Sequence, residues 1–174
     1  MKTKLTIATL ICVIFMSCEK NNDDNNTELG NGFEIYLTEK PYADNLETDY
    51  SLVDFDTITL SAEPILKYDD LISYDTTNHK LTLGISHDSL KFGDVGVYGR
   101  MFVVTVDKEP IYCGFKWTVI SSVPCNWIFI AEPYEELDNL NDKEIVLSYL
   151  NEKAKDPRLD KKIIDRLEKD GKIK

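Results

Sequence analysis

One stretch restricts this chain more than any other. From Met101 to Ile120 it reads MFVVTV, then the turn residues DKEP, then IYCGFKWTVI. Two β-rich runs joined by so short a polar turn specify an antiparallel hairpin. Pro110 stands at the end of the turn, where a missing backbone donor costs little. Along the second run Ile111, Cys113, Phe115, Trp117 and Val119 share one face, because side chains alternate with a period of two. That face reads as core. After SSVPC the run NWIFIA (126–131) supplies a further strand. Folded back antiparallel, it would set Ile120 opposite about Trp127.

Strands also dominate the approach to this hairpin. FEIYL (33–37) and DTITL (56–60) are strand candidates, the second stopped by Glu63-Pro64. LKYDDL (66–71) is too short and polar for more than one helical turn. ISYD (72–75), Thr76-Thr77-Asn78 and KLTLGI (80–85) read as a second hairpin. SHDSLKF (86–92) has the composition of a short helix capped by Ser86, and the glycines at 93, 96 and 99 mark an irregular loop. Beyond residue 140 the period changes. Asn141 and Glu144 suit a capping box, and DKEIVLSYLNEK sets Ile145, Tyr149 and Leu150 on one helical stripe. Asp160 would cap a last helix, KKIIDRLEKD, with Ile163, Ile164 and Leu167 inward and Gly171 just past its end. The expected fold is therefore α+β: a mainly antiparallel sheet with a short internal helix and two C-terminal helices, in one domain over 33–174.

The first residues stand outside that domain. Lys2 and Lys4 precede the apolar run LTIATLICVIFM (5–16), whose twelve residues fall short of the roughly 20 that a membrane span needs. Length and flanks indicate a secretory signal peptide over 1–17. Its last residues, Phe15-Met16-Ser17-Cys18, resemble the lipobox of bacterial lipoproteins. That resemblance implies acylation of Cys18, which becomes the first residue of the mature chain and attaches the protein to membrane through its N-terminal lipid. Each buried CH₂ of such chains adds about 0.8 kcal/mol, so two or more hold firmly. The following CEKNNDDNN resembles the acidic export stretch of Bacteroidota surface lipoproteins, which implies display on the outer face of the outer membrane. Residues 18–32 have too little apolar surface to fold and read as a flexible tether.

Charge excludes one class of partner. Loss of residues 1–17 takes two lysines and no acids, moving the net charge from −11 to −13. Phosphate backbones repel such a body, so no nucleic-acid binding is expected. Cys113 and Cys125 are the pair left for a disulfide in an oxidising compartment. An antiparallel third strand would place Cys113 opposite about residue 134, which argues against that bond.

Motifs of catalysis are sparse. His79 and His87 lie in no zinc-binding spacing, and Ser86-His87-Asp88 cannot form a relay from consecutive residues. No carboxylate pair stands out among 31 acids. No catalytic residue, metal site or cofactor is assigned. The better lead is aromatic: Tyr112, Trp117 and Trp127 crowd adjoining strands, where a ligand-facing platform competes with a plain core role. Asp56-Thr57-Ile58, Asp75-Thr76-Thr77 and Asp88-Ser89-Leu90 match the O-glycosylation acceptor pattern of Bacteroidota envelope proteins.

Together FEIYL, SAEPILKYDDLISYD, HKLTL, FVVTVDKEPIYCGFKWTVISS and DPRLDKKIIDRLEKDGK resemble an uncharacterised domain of bacterial envelope lipoproteins. EPILKYDDL also resembles, faintly, the extracytoplasmic head of the SecD translocase subunit. The expected function is a non-catalytic, surface-exposed module that binds a partner protein or a glycan. The alternatives are an envelope hydrolase and an accessory factor in envelope assembly or export.

Overall fold

The computed structural model describes residues 28–39, 49–118, 120–132, 140–151 and 154–174. Cys18 and the signal peptide lie outside them. Eight strands run in chain order: β1 (Phe33–Leu37), β2 (Leu71–Asp75), β3 (Lys80–Leu83), β4 (Arg100–Val106), β5 (Glu109–Thr118), β6 (Ile128–Glu132), β7 (Glu144–Val146) and β8 (Ser148–Tyr149). They form two sheets, ordered β1-β4-β5-β6-β8 and β2-β3-β7. A single α-helix among the described residues, α1 (Lys161–Lys169), closes the chain.

The hairpin of β4 and β5 is the centre of the larger sheet, as its sequence demands. Phe102 faces Gly114 and Val103 faces Cys113 in its antiparallel register. From Met101 to Val106 every residue of β4 is buried. The glycine opposite Phe102 is required by space, because a Cβ on Gly114 would run into the Phe102 ring. Gly114→Ala is accordingly expected to destabilise the fold by about 1–3 kcal/mol, the usual cost of overpacking a full core. Urea denaturation measures it, and a loss under about 0.5 kcal/mol would show that the ring has room to move.

β1 pairs antiparallel with β4 along its whole length. Its outer edge is covered rather than left to solvent, by bridges from Ile35 to Leu66 and from Thr38 to Leu60. The chain is bonded into the domain before β1 begins: Gly32 N donates to Asp107 Oδ1 at 2.8 Å and Lys108 N to the Gly30 carbonyl at 3.1 Å.

Four expectations are corrected. The run NWIFIA does not fold back antiparallel; β6 lies parallel to β5, with Phe115 beside Phe129 and Thr118 beside Glu132. Trp117 and Trp127 explain the return. Trp117 Nε1 donates to the Val123 carbonyl at 3.2 Å, and Trp127 Nε1 to the Cys113 carbonyl at 2.9 Å, tying both ends of the connection to β5. The antiparallel register that set Cys113 and Cys125 apart therefore falls. Both cysteines are buried.

The first of the two C-terminal helices is absent as well: DKEIVLSYLNEK carries β7 and β8. Asn141 and Glu144 do make capping-type bonds, but these close a turn instead of opening a helix. Ile145 and Leu147 are both buried with Val146 between them, which is a period of two. The open edge of β3 selects that period, pairing Leu81 with Ile145 and Lys80 with Val146.

The short internal helix is likewise no α-helix: SHDSLKF makes a single 3-10 turn, His87–Ser89, while LKYDDL makes the one turn expected of it, Tyr68–Asp70, also of 3-10 type. Ser86 caps the second, accepting from Asp88 N. DTITL is not a strand: Phe55–Thr57 is a 3-10 turn capped by Asp54, and only Leu60 reaches the sheet.

The last helix stands where its stripe placed it. Asp160 accepts from Lys162 N, Ile163 and Leu167 are buried, and Gly171 takes the left-handed conformation at φ 67°. Beyond it the tail joins the smaller sheet, Tyr74 N donating to the Lys172 carbonyl at 2.8 Å and Lys174 N to that of Tyr74 at 2.9 Å. Tyr68 clamps this end. Its hydroxyl donates to Asp170 at 2.5 Å, while Arg166 and Lys172 lie over its ring at 5.1 Å and 4.3 Å.

Candidate functional site

Among the described residues, two surface cavities stand out once these elements have packed. The first lies between α1 and the β4–β5 turn, and its walls are charged: Asp107, Glu109, Lys162, Asp165, Arg166 and Lys169. Most of these charges are already matched. Lys162 is bonded to Glu109, Lys161 to Asp165, and Arg166 NH1 lies 3.1 Å from Asp107. They fasten the helix to the hairpin and leave little for a ligand to use.

The second cavity holds about 320 Å³ and is aromatic. Tyr50, Phe55, Tyr112 and Trp127 line it with Val53, Ile111 and Pro157, and Asp49, Ser51 and Lys155 supply its polar groups. Ligand pockets are typically concave, largely apolar and about 300–1,000 Å³, with a few placed polar groups. This one is at the small end, the size of one ring.

Its geometry follows from local sequence. Asp49 caps the 3-10 turn Tyr50–Leu52 by accepting from Ser51 N at 3.0 Å and from Ser51 Oγ at 2.6 Å. That turn drives Tyr50 inward, edge-on to Phe115 at 5.0 Å between ring centroids and tilted against Trp127 at 6.3 Å. Tyr149 of β8 meets the Trp127 ring edge-on at 5.5 Å. Such pairs each contribute about 0.5–1.5 kcal/mol beyond simple burial, so the site is held rigidly. Burial pushes the Tyr112 hydroxyl well above the usual phenol range, so it stays protonated. Facing the aromatic wall is a strap, residues 154–159, of which 154, 155 and 157 line the cavity. The Tyr149 hydroxyl donates to the Ala154 carbonyl at 2.7 Å.

Of the three aromatic residues singled out in sequence, two meet here. Tyr112 and Trp127 are 3% and 1% exposed, so they form the floor of the cavity and are core at the same time. Trp117 is elsewhere, half-buried, edge-on to Phe115 and packed over Gly99, whose φ of 75° leaves no place for a Cβ. Sequence reasoning missed Tyr50, Phe55 and the strap. The apolar spacing of Tyr50, Val53 and Phe55 was the available signal.

The histidines take no part in the cavity. His87 is buried, its Nδ1 lying 3.1 Å from Asp88. His79 joins a polar cluster behind the strap. Among the described residues no group of three or more His, Cys, Asp or Glu is arranged to hold a metal ion, and no helix is long and apolar enough to cross a membrane. The three Asp-Ser/Thr patterns fall in turns: Thr57 and Ser89 are exposed, and Thr76 is half-buried. Comparison with family models, curated proteins and solved structures finds no match to this chain.

Proposed function

We propose that this chain is a lipid-anchored envelope protein whose folded domain binds a glycan, taking one sugar ring into the aromatic cavity. The observation that carries the reading is the cavity itself. Rings on its floor suit the apolar face of a sugar, and Asp49, Ser51 and Lys155 at its polar positions suit the hydroxyls. The proposed anchor rests on the sequence pattern at Cys18, and the tether after it would span on the order of 20 Å. Hydrolysis draws no support from this geometry. Asp49 is the one carboxylate among the described lining residues of the aromatic cavity, and glycoside hydrolysis takes two across the sugar.

A glycan array probed with the chain tests the reading. Phe55 is the probe position, because it is half-buried and its loss spares the core. Phe55→Ala is expected to weaken binding of any retained glycan at least about tenfold, roughly 1.4 kcal/mol, with the fold intact. No retained glycan, or equal binding by the variant, overturns the proposal. Intact mass of the membrane-extracted protein tests the anchor: the expected mature chain starts at an acylated Cys18.

A second reading, a module that binds a protein, draws on a different observation. Val97, Tyr98 and Ile120 are exposed large apolar residues at one end of the larger sheet, where Ser121 Oγ donates to the Val97 carbonyl at 3.0 Å. The chain enters β1 beside Val106, at the sheet's opposite end.

A further inference from the structure

The sequence holds a single Asn-Gly pair, Asn31-Gly32, and it stands where the chain enters the domain. Such a pair is open to deamidation, because glycine has no side chain to hinder its backbone nitrogen from reaching the asparagine amide carbon. The fold requires the glycine. Its φ is 93°, a conformation that favours glycine, and a Cβ there would run into the Tyr68 ring. That ring cannot give way easily, since its hydroxyl donates to Asp170 and both Arg166 and Lys172 lie over its face.

The main chain is pinned on both sides of Asn31, which is itself exposed. Gly32 is buried, and its N–H donates to Asp107 Oδ1 at 2.8 Å. The same oxygen lies 3.1 Å from Arg166 NH1. The Gly32 carbonyl accepts from Asp107 N at 3.0 Å, and the Gly30 carbonyl from Lys108 N at 3.1 Å. Gly30 N donates to Glu34 Oε2 and to the Tyr36 hydroxyl, each at 3.1 Å, and that hydroxyl donates to Glu34 at 2.7 Å. Asp107 and Lys108, at φ 48° and 74°, form the tight β4–β5 turn, so both turn N–H groups serve the entry segment.

We propose that Asn31-Gly32 is a latent modification site, held unreactive by the Asp107 carboxylate and opened to deamidation when the entry segment lifts from the β4–β5 turn. The reaction is an internal cyclisation that needs only water. Gly32 N gives its proton to solvent base and bonds to Asn31 Cγ. The Cγ–Nδ2 bond then breaks, and Nδ2 takes up a proton and leaves as ammonia. Water opens the resulting cyclic imide at either carbonyl, giving an aspartyl or an isoaspartyl residue. No electrons change hands.

Asp107 opposes the first step in two ways. Its oxygen holds the proton that has to leave, and its negative charge disfavours the nitrogen anion that would form. Paired with Arg166 as well, that oxygen is a poor base for taking the proton itself. Hydrogen bonds to charged groups are among the stronger ones in proteins, so the protection is substantial. The isoaspartyl product does not fit the clasp. It lengthens the main chain by one methylene between the Gly30 and Gly32 carbonyls, which are spaced to meet Lys108 N and Asp107 N. Modification therefore keeps the segment off the turn, a one-way release of the junction between the domain and the residues before it.

Peptide mass mapping of the full chain after incubation in mildly alkaline buffer, folded and in urea, tests the site. Conversion of amide to acid at Asn31 is expected to run at least about tenfold slower in the folded chain than in the unfolded one. Asp107→Gly removes the carboxylate and suits the left-handed turn. In that folded variant Asn31 is expected to convert about tenfold faster than in the unaltered chain. Equal rates in the folded and unfolded chains overturn the proposal. So does an unchanged or slower rate in the variant, the slower one because Asp107 would then be acting as a base. Should the variant not fold, hydrogen exchange at the Gly32 amide of the unaltered chain decides. Protection of about tenfold or more over the intrinsic rate supports the clasp, and less overturns it.

Discussion

Replacement of Trp127 by alanine is expected to remove about 3–5 kcal/mol of folding stability, enough to unfold many domains of this size. The residue is 1% exposed, packs between Tyr50 and Tyr149, and donates through its indole N–H to the Cys113 carbonyl. Truncation would empty the floor of the cavity and strip a buried carbonyl of its donor. Trp127→Phe separates the two effects. It keeps most of the ring and is expected to cost about 1–3 kcal/mol, mainly for the lost indole hydrogen bond. Urea denaturation followed by tyrosine fluorescence measures both. A loss under about 1 kcal/mol for the alanine variant would mean that Trp127 is a surface platform and not core. The same result would revive the simpler view of the site, in which the ring could be mutated freely to test ligand binding.

The second large effect concerns the strap. Asp156→Ala leaves the Arg158 guanidinium, 9% exposed, without its carboxylate. Breaking a buried pair on one side costs about 3–5 kcal/mol, because the surviving charge stays desolvated. Asp156 is itself partly exposed, so about 3 kcal/mol is the expected loss. Adding Arg158→Met to that variant removes the stranded charge while keeping a stem to lie on Tyr149. The double variant is expected to recover about 1–2 kcal/mol relative to Asp156→Ala alone. A double variant less stable than the single one would show that Arg158 acts through its bond to the Leu147 carbonyl.

The two variants test different parts of one arrangement. Trp127 holds the cavity floor to β5, and the Asp156–Arg158 pair holds the opposite wall to Leu147. Tyr149 touches both, packing on Trp127 with one edge and beneath Arg158 with its face. A change on either side is therefore felt by the other, and additivity between them is not expected.

What the sequence alone determined is local. The β4–β5 hairpin, the β2–β3 hairpin, the Asp160 cap and the Ile163/Leu167 stripe were all legible, because each is written in neighbouring residues: alternation, turn chemistry, a cap at fixed spacing. The reading of residues 1–27 rests on sequence alone, because they lie outside the described residues. The tertiary structure decided everything that depends on distant partners. Ile145 sits in a sequence compatible with helix, and only the free edge of β3 made it a strand. The direction of β6 was set by indole hydrogen bonds to carbonyls 6 and 14 residues away, which no periodicity reports. The cavity is the clearest case. Tyr50, Tyr112, Trp127 and Pro157 come from four separate elements, and each alone looks like an ordinary core or turn residue. Side-chain pattern encodes which face is buried; which faces meet depends on long-range packing, and the candidate site is made wholly of such meetings.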